Sequence, residues 1–321
     1  MCPNLRTWIK KGECLFRQAS EIMSTSTLRI IAVAFVIFDC IGTFIPGAPI
    51  AFRWIGRLAA PLFLLCMAWS MDRVRDRKRY LFCLYLCGVG MAALNLLFSF
   101  PSLFPGAGTA VSADIFTTLF ASGCMILLYE YQREHPEKKR RIWGIYAAWQ
   151  LGGAAVWCVL SEVLGVSTAI LQLIFTLCGN IFLAEGSFLM VIMGYLFYRT
   201  KENRRVLRFF FCMICFVFFI NASTGVFGRV LSFLGSDVVL VIAEVLTGLS
   251  MYGTWVTANF SLDHLLFHDY QWMMIAVLPL LLLCREQSEH PVRRRAERAY
   301  LSGALYPVSV YLLWFLGNYA L

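Results

Sequence analysis

The chain alternates between apolar runs of membrane-crossing length and short, strongly charged stretches. A run of about twenty apolar residues is what an α-helix needs to cross a bilayer. The pattern predicts spans over 28–46, 50–71, 80–100, 112–131 and 142–161, and then near 206–222, 237–258, 270–284 and 300–320. Residues 168–198 are longer than one span requires, and Gly179-Asn180 and Ala184-Glu185-Gly186 interrupt them. That combination predicts a broken or partly re-entrant element, which is tolerated at membrane depth only where it lines a cavity. The expected fold is all-α: a polytopic transmembrane helical bundle of about nine or ten spans forming one domain over 27–321. Residues 1–26 read instead as a basic amphipathic segment lying in the interface, with Leu5, Trp8, Ile9, Leu15 and Phe16 opposite Arg6, Lys10, Lys11 and Arg17.

The charged stretches predict the topology. DRVRDRKR (72–79), YEYQREHPEKKRR (129–141) and RTKENRR (199–205) are basic, so the positive-inside rule places them, and the N-terminus, in the cytoplasm. Strict alternation then leaves REQSEHPVRRRAER (285–298) on the wrong side. Either that loop is an exception or one segment between 206 and 260 does not fully cross; Asn221, Gly225 and Gly228, which break the run, and the short 270–284 stretch favour the second.

Composition agrees. Of 321 residues, 60% are hydrophobic and 15% charged, which exceeds the apolar share of soluble domains. The net charge of +9 belongs to the inter-span loops, and no basic stripe remains for nucleic acid. The opening residues have neither a continuous apolar core nor a small-residue cleavage site, so no cleavable signal peptide is expected. Most of the twelve cysteines fall inside apolar runs, where they behave as small hydrophobes. That includes Cys212 and Cys215, a CxxC within FFFCMICFVFF. Trp8, Tyr80, Trp143, Tyr270, Trp272 and Tyr300 stand at run edges and read as interfacial anchors.

Charges inside the runs carry the candidate chemistry. Asp39 lies within TLRIIAVAFVIFDCIG, and Arg53 and Arg57 lie within AFRWIGRLAAPLFLLCMAW. Each costs roughly 2.5–3.5 kcal/mol near a helix centre, so all three should face the bundle interior or a water-filled cavity. The two arginines are spaced i, i+4 on one helical face and are the natural partners of Asp39. The plain structural alternative is a buried ion-pair network that only registers two helices. Asp114, Asp237 and Glu185 fall near exterior span ends, whereas Glu244 is deeper; Gln150, Gln172, Asn180, Asn221 and Arg229 are further polar positions in the runs. His264 and His268, beside Asp263 and Asp269, have a metal-ligand spacing but no evident third ligand, and read as a polar loop.

LRIIAVAFVIFDCIG, RWIGRLAAPLF and RDRKRYLFCLYL, followed in order by ADIFTTLFASG (113–123), AEGSFLMVIMGYLFYR (184–199) and ALYPVSVYLLW (304–314), resemble the TraX family. Those are polytopic membrane proteins whose type member acetylates the amino terminus of conjugative pilin. The first two helices are also similar to those of membrane acyltransferases that modify sugars. Four motifs depart from the family pattern. Its Asp-His-Ile-Gly stands here as Asp39-Cys40-Ile41-Gly42, and its Tyr-Pro-x-His as Tyr306-Pro307-Val308-Ser309. Its acidic-aromatic-glycine motif is Ala184-Glu185-Gly186, and a Tyr-Asn-Gly is replaced by Leu283-Cys284-Arg285.

The resemblance implies a bacterial cell-membrane acetyltransferase. Acetyl-coenzyme A would be the acyl donor, entering from the cytoplasm, and a pilin-like peptide amino terminus or a small envelope molecule the acceptor. It implies coenzyme contacts at Arg53, Arg57, Glu185 and Tyr306. Acyl transfer needs a base for the acceptor's proton and a cationic or hydrogen-bonding group for the developing oxyanion. Asp39 is the remaining base, and Arg53 and Arg57 are the cations. Cys40 is the alternative nucleophile, although a thiol in apolar surroundings is inert unless a cation activates it. Two other readings stay open: a catalytically lapsed relative that binds a partner, and a transporter with its site at mid-membrane.

Overall fold

The computed structural model describes residues 25–100, 103–104, 115–181, 187–232, 264–283 and 305–320. Among these there are helices and connecting turns and no strand. Helix α1 is Thr25–Phe44, α2 Ala51–Gly56, α3 Ala59–Arg73, α4 Arg77–Phe98, α5 Ile115–Glu134, α6 Lys139–Cys158, α7 Thr168–Leu177, α8 Ser187–Thr200, α9 Arg204–Thr224 and α10 Val226–Ser232. A 3-10 turn, Gln271–Val277, leads into α11, Leu278–Leu283, and α12 covers 305–315. The chain is an all-α helical bundle. Five stretches among the described residues are long and apolar enough to cross a membrane: Thr27–Phe44, Ala51–Arg73, Arg77–Phe98, Pro136–Ser161 and Arg204–Thr224. The expected 112–131 pass is the unbroken 20-residue α5, which is not among those five, and the 168–198 and 270–284 passes are broken or shorter; the 237–258 run and the N-terminal 1–24 lie outside the described residues.

Helix α3 is the hub. It packs against α1, α5, α8 and the 3-10 turn. Leu62, Leu64, Leu65, Cys66, Met67, Ala68, Trp69 and Met71 are all buried, which leaves no polar face. A helix apolar all round belongs in the centre of a bundle, where close side-chain packing against its neighbours holds it. The second expected span is α2 and α3 in series, with an irregular turn at Arg57–Leu58 between them.

The basic loops meet at one end. Arg77 pairs with Glu130, Tyr198 donates to the same carboxylate, and Lys201 pairs with Asp72. The Arg199 guanidinium lies 4.4 Å from the Tyr129 ring centre. Asp76 and Asn203 cap α4 and α9 from this end, accepting backbone N–H groups of their first turns. Arg204 also donates to the Leu282 carbonyl at 2.6 Å, so α11 finishes beside the start of α9. Leu283 therefore stands at the basic end. Helix α9 runs away from that end and stops at Gly225, whose φ of +57 closes the helix with an N–H to Asn221 O bond of 2.7 Å. The 3-10 turn and α11 run back alongside α9. Residues 225 and 270 thus stand at the same end; 233–263, on which the expectation of one incomplete crossing falls, lie outside the described residues.

The interruption after 168 is a broken helix. Helix α7 stops at Gly179, φ +66, and α8 resumes toward the basic end. Gln150 of α6 supplies the missing backbone partners: its side chain accepts from Ile181 N at 2.8 Å and donates to Gly179 O at 3.2 Å. Trp149 donates to Cys178 O at 3.2 Å, and Asn180 donates to the Gln150 carbonyl. Non-helical backbone at this depth is stable because a neighbouring helix satisfies it.

Candidate functional site

The site forms where the far halves of α1 and α2 cross. Two glycines set the separation. A Cβ on Gly42 would lie 2.7 Å from the Arg53 Cγ, and a Cβ on Gly56 would overlap the Asp39 side chain. Each helix thus presents a bare backbone patch to the charged residue of the other. Arg57 occupies the C-cap of α2, at the joint with α3.

Asp39, Cys40, Arg57 and Tyr306 line one cavity of about 70 Å³, with Gln271 and Phe63 among its other walls. A water needs about 10–15 Å³ of such space, so the cavity has room for several waters or a small acyl group. Arg57 and Arg53 both act electrostatically on the Asp39 carboxylate, Arg57 more strongly. Asp39 makes no direct ion pair among the described residues, and its Oδ1 is buried without a hydrogen-bond partner. The sequence expectation of an acid and two cations converging on a cavity holds for Asp39 and Arg57. Arg53 stands beside the cavity and does not line it.

The arginines are held by an aromatic ring. Both guanidinium carbons sit over Tyr270, 5.3 Å from its centroid for Arg53 and 5.2 Å for Arg57. Cation–π contacts of this kind contribute about 0.5–2 kcal/mol each. Tyr270 is only 4% exposed, which corrects its reading as an interfacial anchor: it is an interior plate between the arginines and α9. Trp54 donates to Leu266 O at 2.8 Å and pins this segment to α2. Asp269 adds a second acidic group. Its carboxylate feels Arg57 and accepts a hydrogen bond from the buried Asn221 side chain. Sequence reasoning gave neither Asp269 nor Tyr270 a place in the site. The adjacent DY pair following a polar turn was the available signal.

Other candidates fall elsewhere. Cys40 is buried at 4% and lines the cavity. Tyr306 is equally buried, edge-on to Phe63 and Phe116. Ser309 turns its hydroxyl to its own helix at Tyr306 O, 2.8 Å away. Gln150 and Asn180 serve the α7–α8 break, and Cys212 and Cys215 are free thiols on α9. Glu185, Asp114, Asp237, Glu244 and Asp263, and the side chains of Arg229, His264 and His268, lie outside the described residues.

No protein-family model, curated protein or solved structure matches the chain.

Proposed function

We propose that the protein is an integral membrane acyltransferase similar to TraX, moving an acetyl group from acetyl-coenzyme A to a peptide amino terminus or small envelope acceptor. The observation that carries this reading is the Asp39 carboxylate. Its Oδ1 is buried, it makes no direct ion pair among the described residues, and it faces a cavity that Arg57 also lines. A carboxylate serving only to register two helices would be expected to close a direct ion pair with its arginines, because an uncompensated buried charge costs several kcal/mol. An open acid–cation pair around solvent space suits a reacting group instead.

In this reading Asp39 accepts the proton of the attacking amine or hydroxyl. The nucleophile forms a bond to the thioester carbonyl carbon, and Arg57 faces the negative charge that develops on the carbonyl oxygen. Collapse breaks the C–S bond, and the proton held by Asp39 passes to the departing thiolate. Tyr270 fixes the two guanidinium groups so that their charge is oriented before reaction. Cys40 contributes cavity wall. The basic end of the bundle faces the cytoplasm in this reading, where the positive-inside rule places it and where the donor is found.

The test is thioester turnover by protein purified in lipid nanodiscs, with acetyl-coenzyme A and a peptide bearing a free amino terminus. Release of coenzyme A and a mass gain of one acetyl group on the peptide are expected. Asp39→Asn should lower turnover about 10²–10⁴-fold, as for loss of a general base. Absence of both acetyl-coenzyme A binding and thioester loss in the wild type would end the enzyme reading in favour of a partner-binding relative.

A further inference from the structure

A second cavity lies nearer the basic end of α1. It measures about 120 Å³ and is lined by Arg29, Cys66, Tyr80, Phe63, Phe116 and Tyr306, among others. Phe63, Ile115 and Tyr306 also wall the Asp39 cavity, so the two spaces are neighbours separated by shared side chains.

Arg29 is an unexplained charge. Its guanidinium turns inward and donates to the Ser70 hydroxyl at 2.6 Å, and Ser70 in turn donates to Cys66 O at 2.7 Å. Ser70 is itself 7% exposed. Among the described residues no carboxylate pairs with Arg29. Arg73 stands next to it, held at 2.9 Å by Thr25, and both arginines act on the Cys66 sulfur. A guanidinium has five donors, and the Ser70 hydroxyl and the Cys66 sulfur leave others for a ligand. A partly buried cation that meets no carboxylate among the described residues, beside an open cavity, offers an anion site.

The spacing along α1 is informative. Arg29 and Asp39 are ten residues apart, about 15 Å of helix. The pantetheine arm of coenzyme A, from phosphate to sulfur, has a backbone comparable to about four extended residues, or ~14 Å. A phosphate at Arg29 would therefore deliver a thioester near Asp39, passing Tyr306.

We infer that the Arg29 cavity binds the anionic phosphate end of the acyl donor, with Tyr306 forming the partition that the arm must pass to reach Asp39 and Arg57. The inference rests on the acyl-transfer reading and adds to it a residue that positions the donor.

Binding measured by calorimetry on nanodisc-embedded protein tests it, with three probes: acetyl-coenzyme A, acetyl-pantetheine (which lacks phosphate) and inorganic pyrophosphate. Arg29→Gln should weaken acetyl-coenzyme A tenfold or more and leave acetyl-pantetheine unchanged, while Arg29→Lys restores part of the loss. Equal weakening of both thioesters, or no weakening, would overturn the inference and make Arg29 a structural residue. Arg29-dependent binding of pyrophosphate without acetyl-coenzyme A binding would keep the anion site and remove the acyl-transfer reading. Binding of none of the probes to the wild type would remove both.

Discussion

Gly56 rests directly on Asp39. No side chain separates the α2 backbone from the carboxyl-bearing residue of α1, and a single added methyl would collide with it. The reciprocal contact of Gly42 with Arg53 locks the same crossing from the other side. Position and orientation of the acid are thus set by what these two residues lack.

Gly56→Ala should displace Asp39 and lower stability by about 1–3 kcal/mol, the usual cost of overpacking. Thermal unfolding in detergent reads the stability. Thioester turnover should fall further than the small loss of stability alone explains.

Tyr270→Leu removes the ring beneath both arginines, whereas Tyr270→Phe keeps it. The contact's worth of about 0.5–2 kcal/mol corresponds to roughly a two- to thirtyfold loss in kcat/KM for the leucine variant. The phenylalanine variant should stay near wild type in the same assay.

Cys40→Ala separates two roles for the thiol. With Asp39 as the base, turnover should persist within about tenfold, and no acetyl-enzyme adduct should appear on Cys40 in intact-mass spectra. A covalent role predicts the adduct and abolished turnover on removal of the nucleophile.

Gln150→Leu strands the Gly179 carbonyl and the Ile181 amide at the break between α7 and α8. Each stranded group costs about 1–3 kcal/mol. A lower melting temperature is expected, with faster amide exchange concentrated near 179–181.

In a background without the other cysteines, Arg75→Cys and Leu283→Cys should react with a membrane-impermeant thiol reagent from the same side of the bilayer. Labelling from opposite sides would contradict the Arg204–Leu282 junction that brings α11 back to the basic end.

Much of this was legible in sequence for a definable reason. The cost of charge in hydrocarbon singles out Asp39, Arg53 and Arg57 wherever they fold, and the break at Gly179-Asn180 shows because glycine and asparagine interrupt an apolar run. Tyr270 and Asp269 did not show. A tyrosine at the edge of an apolar run has the same appearance whether it anchors at an interface or lies under two arginines. Arg29 also escaped notice, because an arginine in the first turn of a span ordinarily extends to the headgroups; its inward turn toward Ser70 is visible only once α1 and α3 are packed together.

The sequence by itself determined a helical membrane bundle, the basic faces of its loops and the charged residues that could not face lipid, since transfer energies act residue by residue. Only the tertiary structure decided which of those residues share a cavity, that Asp39 makes no direct ion pair among the described residues, and that a second cavity adjoins the first. Those outcomes depend on helix crossings fixed by glycine contacts and on segments far apart in the chain, and no local property of the chain encodes them.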